Sequence, residues 1–451
     1  MPILARATPA LRLIIWFIIP IIVGAILLSL PISHEAGPVS FIDSLFTATS
    51  AFCVTGLTVV NIPASFSYFG EVVLIILMQL GGLGVMAFST LFFLVLGARI
   101  STGQTFDLKT AFTSRVDTRV RSILKGAILV TIIIEGIGVV ALFFGFMGEL
   151  PPLKALYFAV FHSVSAFNNA GLSISPNNLK DWHGNIPVLL GVASLIVVGG
   201  LGFTVNTEIY SKIFNRPGRR RTSLHTKLVI TTTSILLVAG AACFILLEMN
   251  NAYQGDPWHL RVLDGIFQAV TPRTAGFDSV DQNNLSVLSI LLTIFLMTIG
   301  ASPGSTGGGI KTTTLAIIIM AIVARVKGSM GVDVFRRTVP YESVIKAVSI
   351  FILASFLIFL ASALLMLSEH GFHPGGIERG TELAYFFETV SAFGTVGLSL
   401  GITPYLHTPG KLILVIMMII GRVGLLTLFY VAARPEGADR ISYSEESVMI
   451  G

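Results

Sequence analysis

Four glycines offer this chain's clearest chemistry, and what they offer is oxygen. Gly56, Gly171, Gly276 and Gly397 stand at the same place in four related octapeptides, Ser50–Leu57, Ser165–Leu172, Val270–Phe277 and Ser391–Leu398. The first reads Ser-Ala-Phe-Cys-Val-Thr-Gly-Leu and the last Ser-Ala-Phe-Gly-Thr-Val-Gly-Leu, and the glycines are 115, 105 and 121 residues apart. Self-similarity at such spacing marks an internal repeat. A filter must replace a cation's hydration shell with oxygen atoms, and a ring of backbone carbonyls does this without fixed charge. Glycine permits the backbone angles that turn successive carbonyls toward one axis. Glycine also ends helices routinely, and one copy would be read that way. Four copies at repeat spacing, each after a short helix, point instead to a four-walled filter. The C-terminal ends of those helices would add partial negative charge favouring a cation.

A second constellation lies in repeat three. The apolar stretch Leu285–Ile299 runs into Gly-Ala-Ser-Pro-Gly-Ser-Thr-Gly-Gly-Gly-Ile-Lys, Gly300–Lys311, before the apolar Thr312–Val323. Glycines and a proline cannot continue a helix, and irregular backbone inside a membrane must line a cavity or be buried in protein. A polar loop below a filter would plug the path or admit ions. A nucleotide-binding loop is excluded, because Ile310 separates Gly309 from Lys311 and no strand precedes the run. Arg422 sits mid-way along the apolar Leu412–Val431. A charge there needs oxygen partners or a cavity, so it is expected to bond the loop and hold the gate shut. Glu135 is central in another apolar run and is expected to bond a neighbouring helix or to sit near a cation path. Arg273 is expected to brace the filter, and Lys311 to belong to the gate or to snorkel from it. Cys53 and His162 read as packing and scaffold, and Asp43 and Asp264 as helix caps. The eight histidines show no metal-ligand spacing, and no nucleophile–base pair appears. A catalyst is therefore not expected.

The elements that must position these residues are membrane helices. Of the 451 residues, 53% are hydrophobic and only 12% charged. A soluble surface needs far more charge. Leu11–Leu30, Gly126–Met147, Leu228–Leu247 and Ala347–Leu367 are each near the roughly 20 residues that a span needs. Val72–Leu96, Ile186–Tyr210 and Leu412–Val431 are similar. The first lacks the cleavage pattern of a signal peptide and is expected to remain. Each glycine motif follows a shorter segment, Phe41–Phe52, Lys154–Phe167, Leu260–Thr271 or Thr381–Phe393. Helices of that length reach only about 20 Å and must go in partway and return. Glycine recurs in the helix after each loop, at Gly81, Gly199, Gly300 and Gly421. The expected fold is all-α: eight transmembrane helices with four re-entrant pore loops, in pseudo-fourfold arrangement around one pore. The repeats run 1–98, 99–214, 215–327 and 328–434, followed by a tail at 435–451. They share one orientation, unlike the inverted repeats common in secondary transporters. The basic segments Arg99–Lys125, Lys212–Lys227 and Arg325–Lys346, with the two termini, hold 21 of the 29 Lys and Arg residues. The positive-inside rule places them all in the cytoplasm. Topology alone thus accounts for Arg219–Arg221, without a nucleic-acid partner. Two cysteines, Cys53 and Cys243, make no disulfide framework.

From about Leu11 to the C-terminus, these repeats, motifs and the Gly-rich break resemble the Trk/Ktr/HKT superfamily of cation transporters, and within it the bacterial Ktr-type membrane subunit. The resemblance implies that glycine in all four loops goes with potassium preference. It implies a filter built from Val54, Thr55 and Gly56; Asn169, Ala170 and Gly171; Thr274, Ala275 and Gly276; and Thr395, Val396 and Gly397. It implies an intramembrane gate at Gly300, Ser302, Pro303, Gly304, Ser305, Thr306, Gly307, Gly308, Gly309 and Lys311, with Arg422 against it. Potassium is then the bound ion, and no nucleotide binds on this chain. The implied assembly is a homodimer in the cell membrane, on a cytosolic ring of nucleotide-binding (KtrA-like) regulatory subunits. A secondary transporter coupling potassium to sodium or protons is the other reading, and Glu135 is its support in the sequence.

Overall fold

The structure, a computed structural model, describes residues 9–35, 37–99, 109–214, 222–329, 331–370 and 381–424. The expected tail at 435–451, and Arg219–Arg221, lie outside the described residues. The chain reads helix, short helix, helix, four times over. Repeat one holds α1 (Pro9–Leu28), α2 (Phe41–Cys53) and α3 (Tyr68–Arg99); repeat two holds α4 (Lys109–Phe146), α5 (Pro152–Phe167), α6 (Ile186–Leu201) and α7 (Phe203–Phe214). Repeat three holds α8 (Leu224–Glu248), α9 (Trp258–Val270), α10 (Val287–Thr298) and α11 (Thr312–Val326). Repeat four holds α12 (Tyr341–His370), α13 (Thr381–Gly394) and α14 (Thr408–Val423). The four short helices α2, α5, α9 and α13 fall within a residue or two of the segments read from the sequence. Their starts carry ordinary stop-and-start chemistry: the Ser40 hydroxyl accepts from the Asp43 amide at 3.1 Å, and prolines open α5.

The long helices are apolar on their outer faces as well as toward the core. On α4, Leu129, Ile132, Ile137, Val140 and Phe144 are exposed, as are Ile352, Phe356, Phe359 and Leu367 on α12. The interior holds buried serines and threonines among its phenylalanines, leucines and valines. Lipid is as apolar as leucine, so small and polar groups take the helix interfaces. Among the described residues, Gly126–Phe146, Leu224–Glu248 and Tyr341–Glu369 are long and apolar enough to cross a membrane as single helices. The molecule is a membrane protein.

The second helix of each repeat packs on the short helix of the next. α3 lies against α5, α6 against α9, α10 against α13, and α14 returns to α2. The cycle closes on itself. Within each repeat, close approach of the second helix to its own short helix also depends on glycine. A Cβ at Gly81, Gly199 or Gly421 would collide with the backbone carbonyl of Phe52, Phe167 or Phe393, at the ends of α2, α5 and α13. Gly300 breaks the pattern, since its neighbour is the Gly308 carbonyl. The Gly-rich loop has taken the place that a short helix end holds elsewhere.

Three expectations need correction. Ile186–Tyr210 is not one helix: α6 and α7 meet at Gly202 with a 101° bend. Gly202 has φ +91°, and a Cβ there would meet the Pro303 carbonyl at 2.8 Å, so the Gly-rich loop occupies the space that a straight helix would need. The fold is not wholly α, because β1 (Val332–Val334) and β2 (Arg337–Val339) form a small antiparallel hairpin. Asp43 and Asp264 do not cap helices. Asp43 pairs with Lys411 at 2.6 Å, and Asp264 with His183 at 2.9 Å.

Gly421→Ala should destabilise the protein by about 1–3 kcal/mol through overpacking, whereas Gly136→Ala, with open space around it, should be neutral or slightly stabilising. Thermal melts in detergent check this. Equal melting temperatures for the two variants would show that the contact carries no such constraint.

Candidate functional site: a ring of four backbone loops

The four glycine loops meet. A Cβ on Gly56 would lie 3.1 Å from the Gly171 Cα and 3.2 Å from the Gly397 Cα; one on Gly171 would lie 2.9 Å from Gly276, and one on Gly276 3.1 Å from Gly397. Residues 341 apart in sequence therefore stand side by side, and the glycines form a closed ring. Any side chain there would run into the neighbouring loop's backbone.

Each loop has the same unusual backbone. The residue two before the glycine is left-handed, with φ of 54° at Val54, 59° at Asn169, 67° at Thr274 and 49° at Thr395. The glycine that follows is also positive, from 66° at Gly171 to 100° at Gly56. Such angles are costly for a β-branched residue and persist only where the surroundings impose them. Hydroxyls impose them here. Ser50 accepts from the Thr55 amide through its carbonyl at 2.8 Å and from the Gly56 amide through its Oγ at 3.0 Å. Ser391 does the same for Val396 and Gly397, at 2.9 and 3.0 Å. Ser165 accepts from Ala170 and donates to the Leu172 carbonyl; Thr271 accepts from Ala275 and donates to the Phe277 carbonyl. With the amides tied outward to Ser and Thr, the loop carbonyls are left for whatever stands inside the ring. Ser50, Ser165 and Ser391 open their octapeptides and Thr271 stands second in its own, but a serine or threonine at such a place does not by its type announce this role. Thr271 sits one place nearer its glycine than the serines do, the same shift that separates Asp264 from Asp43.

On one side of the ring is a cavity of about 250 Å³, lined in part by Gly56, Gly171, Gly397, Asn61, Lys180 and Asp278. Burial pushes the Asp278 carboxyl up to about 7, against the pull of Lys180. On the other side lies the Gly-rich loop, bonded directly to the loops above it. The Thr306 hydroxyl donates to Asn169 Oδ1 at 3.1 Å, and the Gly308 amide donates to Thr395 Oγ1 at 3.1 Å. Ser302 and Thr306 donate their amides to the Gly200 and Gly199 carbonyls of α6, and the Gly304 carbonyl accepts from Phe203. Ser305 closes on the Ser302 carbonyl, and Pro303 faces Gly202. Gly307 packs on Thr274, Gly309 on Gly300, and Lys311 donates to the Gly307 and Gly308 carbonyls. Arg422 donates to the Thr306 carbonyl and, at 2.9 Å, to that of Gly81. The loop is thus sewn to repeats one, two and four.

Glu135, Arg273, His162 and Cys53, also singled out in the sequence, are all buried. Glu135 accepts from Gln79 at 3.3 Å and from Asn168 at 3.0 Å, joining α4 to α3 and to the end of α5. Arg273 donates to Thr233 at 3.4 Å. His162 bonds the Phe158 carbonyl and the Ser173 hydroxyl, and Cys53 is fully buried. One grouping could not be seen in linear spacing: His183, Asp256 and Asp264 converge.

This architecture has relatives. Residues 18–440 match the family model described as TrkH, cation transport protein. The chain belongs to that family. Within it, the Ktr system potassium uptake protein B of Bacillus subtilis is 39% identical across 99% of this chain and 97% of its own. The potassium/sodium uptake protein NtpJ of Enterococcus hirae is 36% identical across 99% and 98%. The crystal structure of the potassium transporter TrkH from Vibrio parahaemolyticus superposes with a TM-score of 0.75 over 94% of this chain and 84% of that one, at 18% identity. That likeness is one of fold. The Trk/Ktr resemblance read from the motifs is borne out by the family match. The family transports cations and is not an enzyme family.

Replacing Arg422 by Gln should free the Gly-rich loop. Losing charge-assisted bonds to two buried carbonyls costs about 2–4 kcal/mol, or on the order of ten- to a thousandfold in local opening. Hydrogen–deuterium exchange of the Ser302–Gly308 amides should rise by that factor, and unchanged exchange would show that Arg422 does not hold the loop.

Proposed function

We propose that this chain is the potassium-selective, channel-like translocating subunit of a potassium uptake system, and the closed ring of four glycine loops carries that reading. Potassium enters from the cavity beside Asp278, sheds water, and is coordinated by carbonyls of Val54 and Thr55, Asn169 and Ala170, Thr274 and Ala275, Thr395 and Val396, at the level of the four glycines. The short helices aim their negative ends toward it. Eight spanning helices and four re-entrant loops surround the pore in pseudo-fourfold fashion, and the cyclic packing of each second helix on the next short helix supports this. Repeat boundaries at 98, 214, 327 and 434 follow.

The Gly300–Lys311 loop closes the path below the ring, with Arg422 as its clasp. Opening requires the loop to leave Asn169, Thr395 and Arg422 together, which suits a displacement driven from outside the pore. We assign that drive to a cytosolic ring of nucleotide-binding subunits under a homodimer of this chain in the cell's inner membrane, with both termini cytoplasmic. The relatives named as a Ktr system support a multi-component assembly.

A relative named for both potassium and sodium uptake favours a second reading, in which sodium entry is coupled to potassium. Flux in proteoliposomes separates the two. Potassium should move on its own gradient, with Gly276→Ser reducing potassium-over-sodium preference by tenfold or more, since about 1.4 kcal/mol of lost coordination suffices. An absolute requirement for a sodium or proton gradient, with preference untouched by the serine, would replace the channel by a coupled transporter.

A further inference from the structure

We propose that His183, Asp256 and Asp264 form a binding site for a first-row divalent cation such as zinc, separate from the potassium path. The three residues come from the loop before α6, the loop before α9 and the middle of α9. One ligand atom from each lies within 4.8 Å of the other two. His183 Nε2 is 2.9 Å from Asp264 Oδ2 and 3.9 Å from Asp256 Oδ2. Nitrogen and oxygen ligands bound tetrahedrally to one zinc at about 2.0–2.1 Å stand roughly 3.3 Å apart, so these separations bracket what a shared ion requires.

An imidazole with two carboxylates is a zinc-type donor set, and leaves a coordination position for water. The residues differ in exposure as such a site requires. Asp264 is almost wholly buried, while the His183 and Asp256 side chains are about one-third exposed, which leaves the ion a route from solvent.

Two further observations separate this cluster from an ordinary ion pair. The buried Oδ1 of Asp264 has no hydrogen-bond partner among the described residues. A carboxylate held only by one histidine on its other oxygen leaves that atom unsatisfied at a cost, whereas a cation draws on the charge of the whole group. The fold also supplies an internal control. The packing of α14 on α2 and of α6 on α9 are equivalent steps of the same cycle. At the first, the short-helix acid Asp43 meets Lys411, whose ammonium has no lone pair to offer a metal. At the second, the corresponding acid Asp264 meets a histidine, and a second carboxylate from Asp256 is added. Arg261, the nearby cation on α9, turns to the backbone carbonyls of Asp256 and Met249 and so holds the loop that presents Asp256. A bound ion would staple repeat two to the short helix that leads into the Gly276 loop.

The test is direct binding to the purified full chain in detergent, with any histidine tag removed. Zinc is titrated by calorimetry, and cobalt is used as a spectroscopic stand-in whose visible absorption reports tetrahedral nitrogen–oxygen coordination. One equivalent per chain is expected, with affinity falling on the order of tenfold to a hundredfold or more in His183→Ala and in Asp256→Asn. Asp256→Asn retains the His183–Asp264 bond, so its fold is preserved even if the alanine variant is unstable. Lys411→Ala should leave zinc affinity unchanged. Absence of stoichiometric binding to the native chain, or binding equal in the native chain and Asp256→Asn, would overturn the proposal.

Discussion

Everything in this molecule is arranged around backbone carbonyls that have no amide to accept. In a hydrocarbon interior an unsatisfied carbonyl costs several kcal/mol, so four irregular loops cannot simply be left inside the protein. They exist because the amides of Thr55, Gly56, Ala170, Ala275, Val396 and Gly397 are taken by Ser50, Ser165, Thr271 and Ser391. The proposed function has the carbonyls left over from this arrangement point together. A cation is the natural partner for such a ring. The strain at Val54, Asn169, Thr274 and Thr395 is the visible cost of holding that geometry.

The same constraint explains the Gly-rich loop. Its own carbonyls and amides also need partners, and they find them in the glycine loops and the flanking helices: Thr306 on Asn169, Gly308 on Thr395, Gly304 on Phe203 and Arg422 on Thr306. A loop fastened by several moderate bonds to the other three repeats, with repeat one reached through Arg422, is stable in this arrangement. Such fastenings are lost together when it moves. Under the proposed function, that is the behaviour expected of a two-state element.

Much of this was legible in the residues. The repeat glycines, the short helices and the break at Gly300 announce themselves because four copies at matching spacing suppress chance, and because an isolated charge such as Arg422 has few options in a membrane. What was not legible depends on long-range packing. The bend at Gly202 arises from a loop a hundred residues away, and nothing in the apolar run Ile186–Tyr210 encodes it. Non-glycine residues in left-handed conformation leave no compositional trace. The pairing of Asp43 with Lys411 spans 368 residues, and helix capping was the local reading available without that contact. His183 reaches Asp256 and Asp264 for the same reason, through the seam between two repeats.

The most direct measurement of the central claim is anomalous diffraction from crystals soaked in rubidium or thallium, potassium-like ions with strong scattering. A peak is expected on the axis of the ring, surrounded by carbonyls of the Val54–Gly56, Asn169–Gly171, Thr274–Gly276 and Thr395–Gly397 loops and lost when excess potassium competes with the soaked ion. A ring without density, with the ion instead beside Glu135 between α3 and α4, would contradict it.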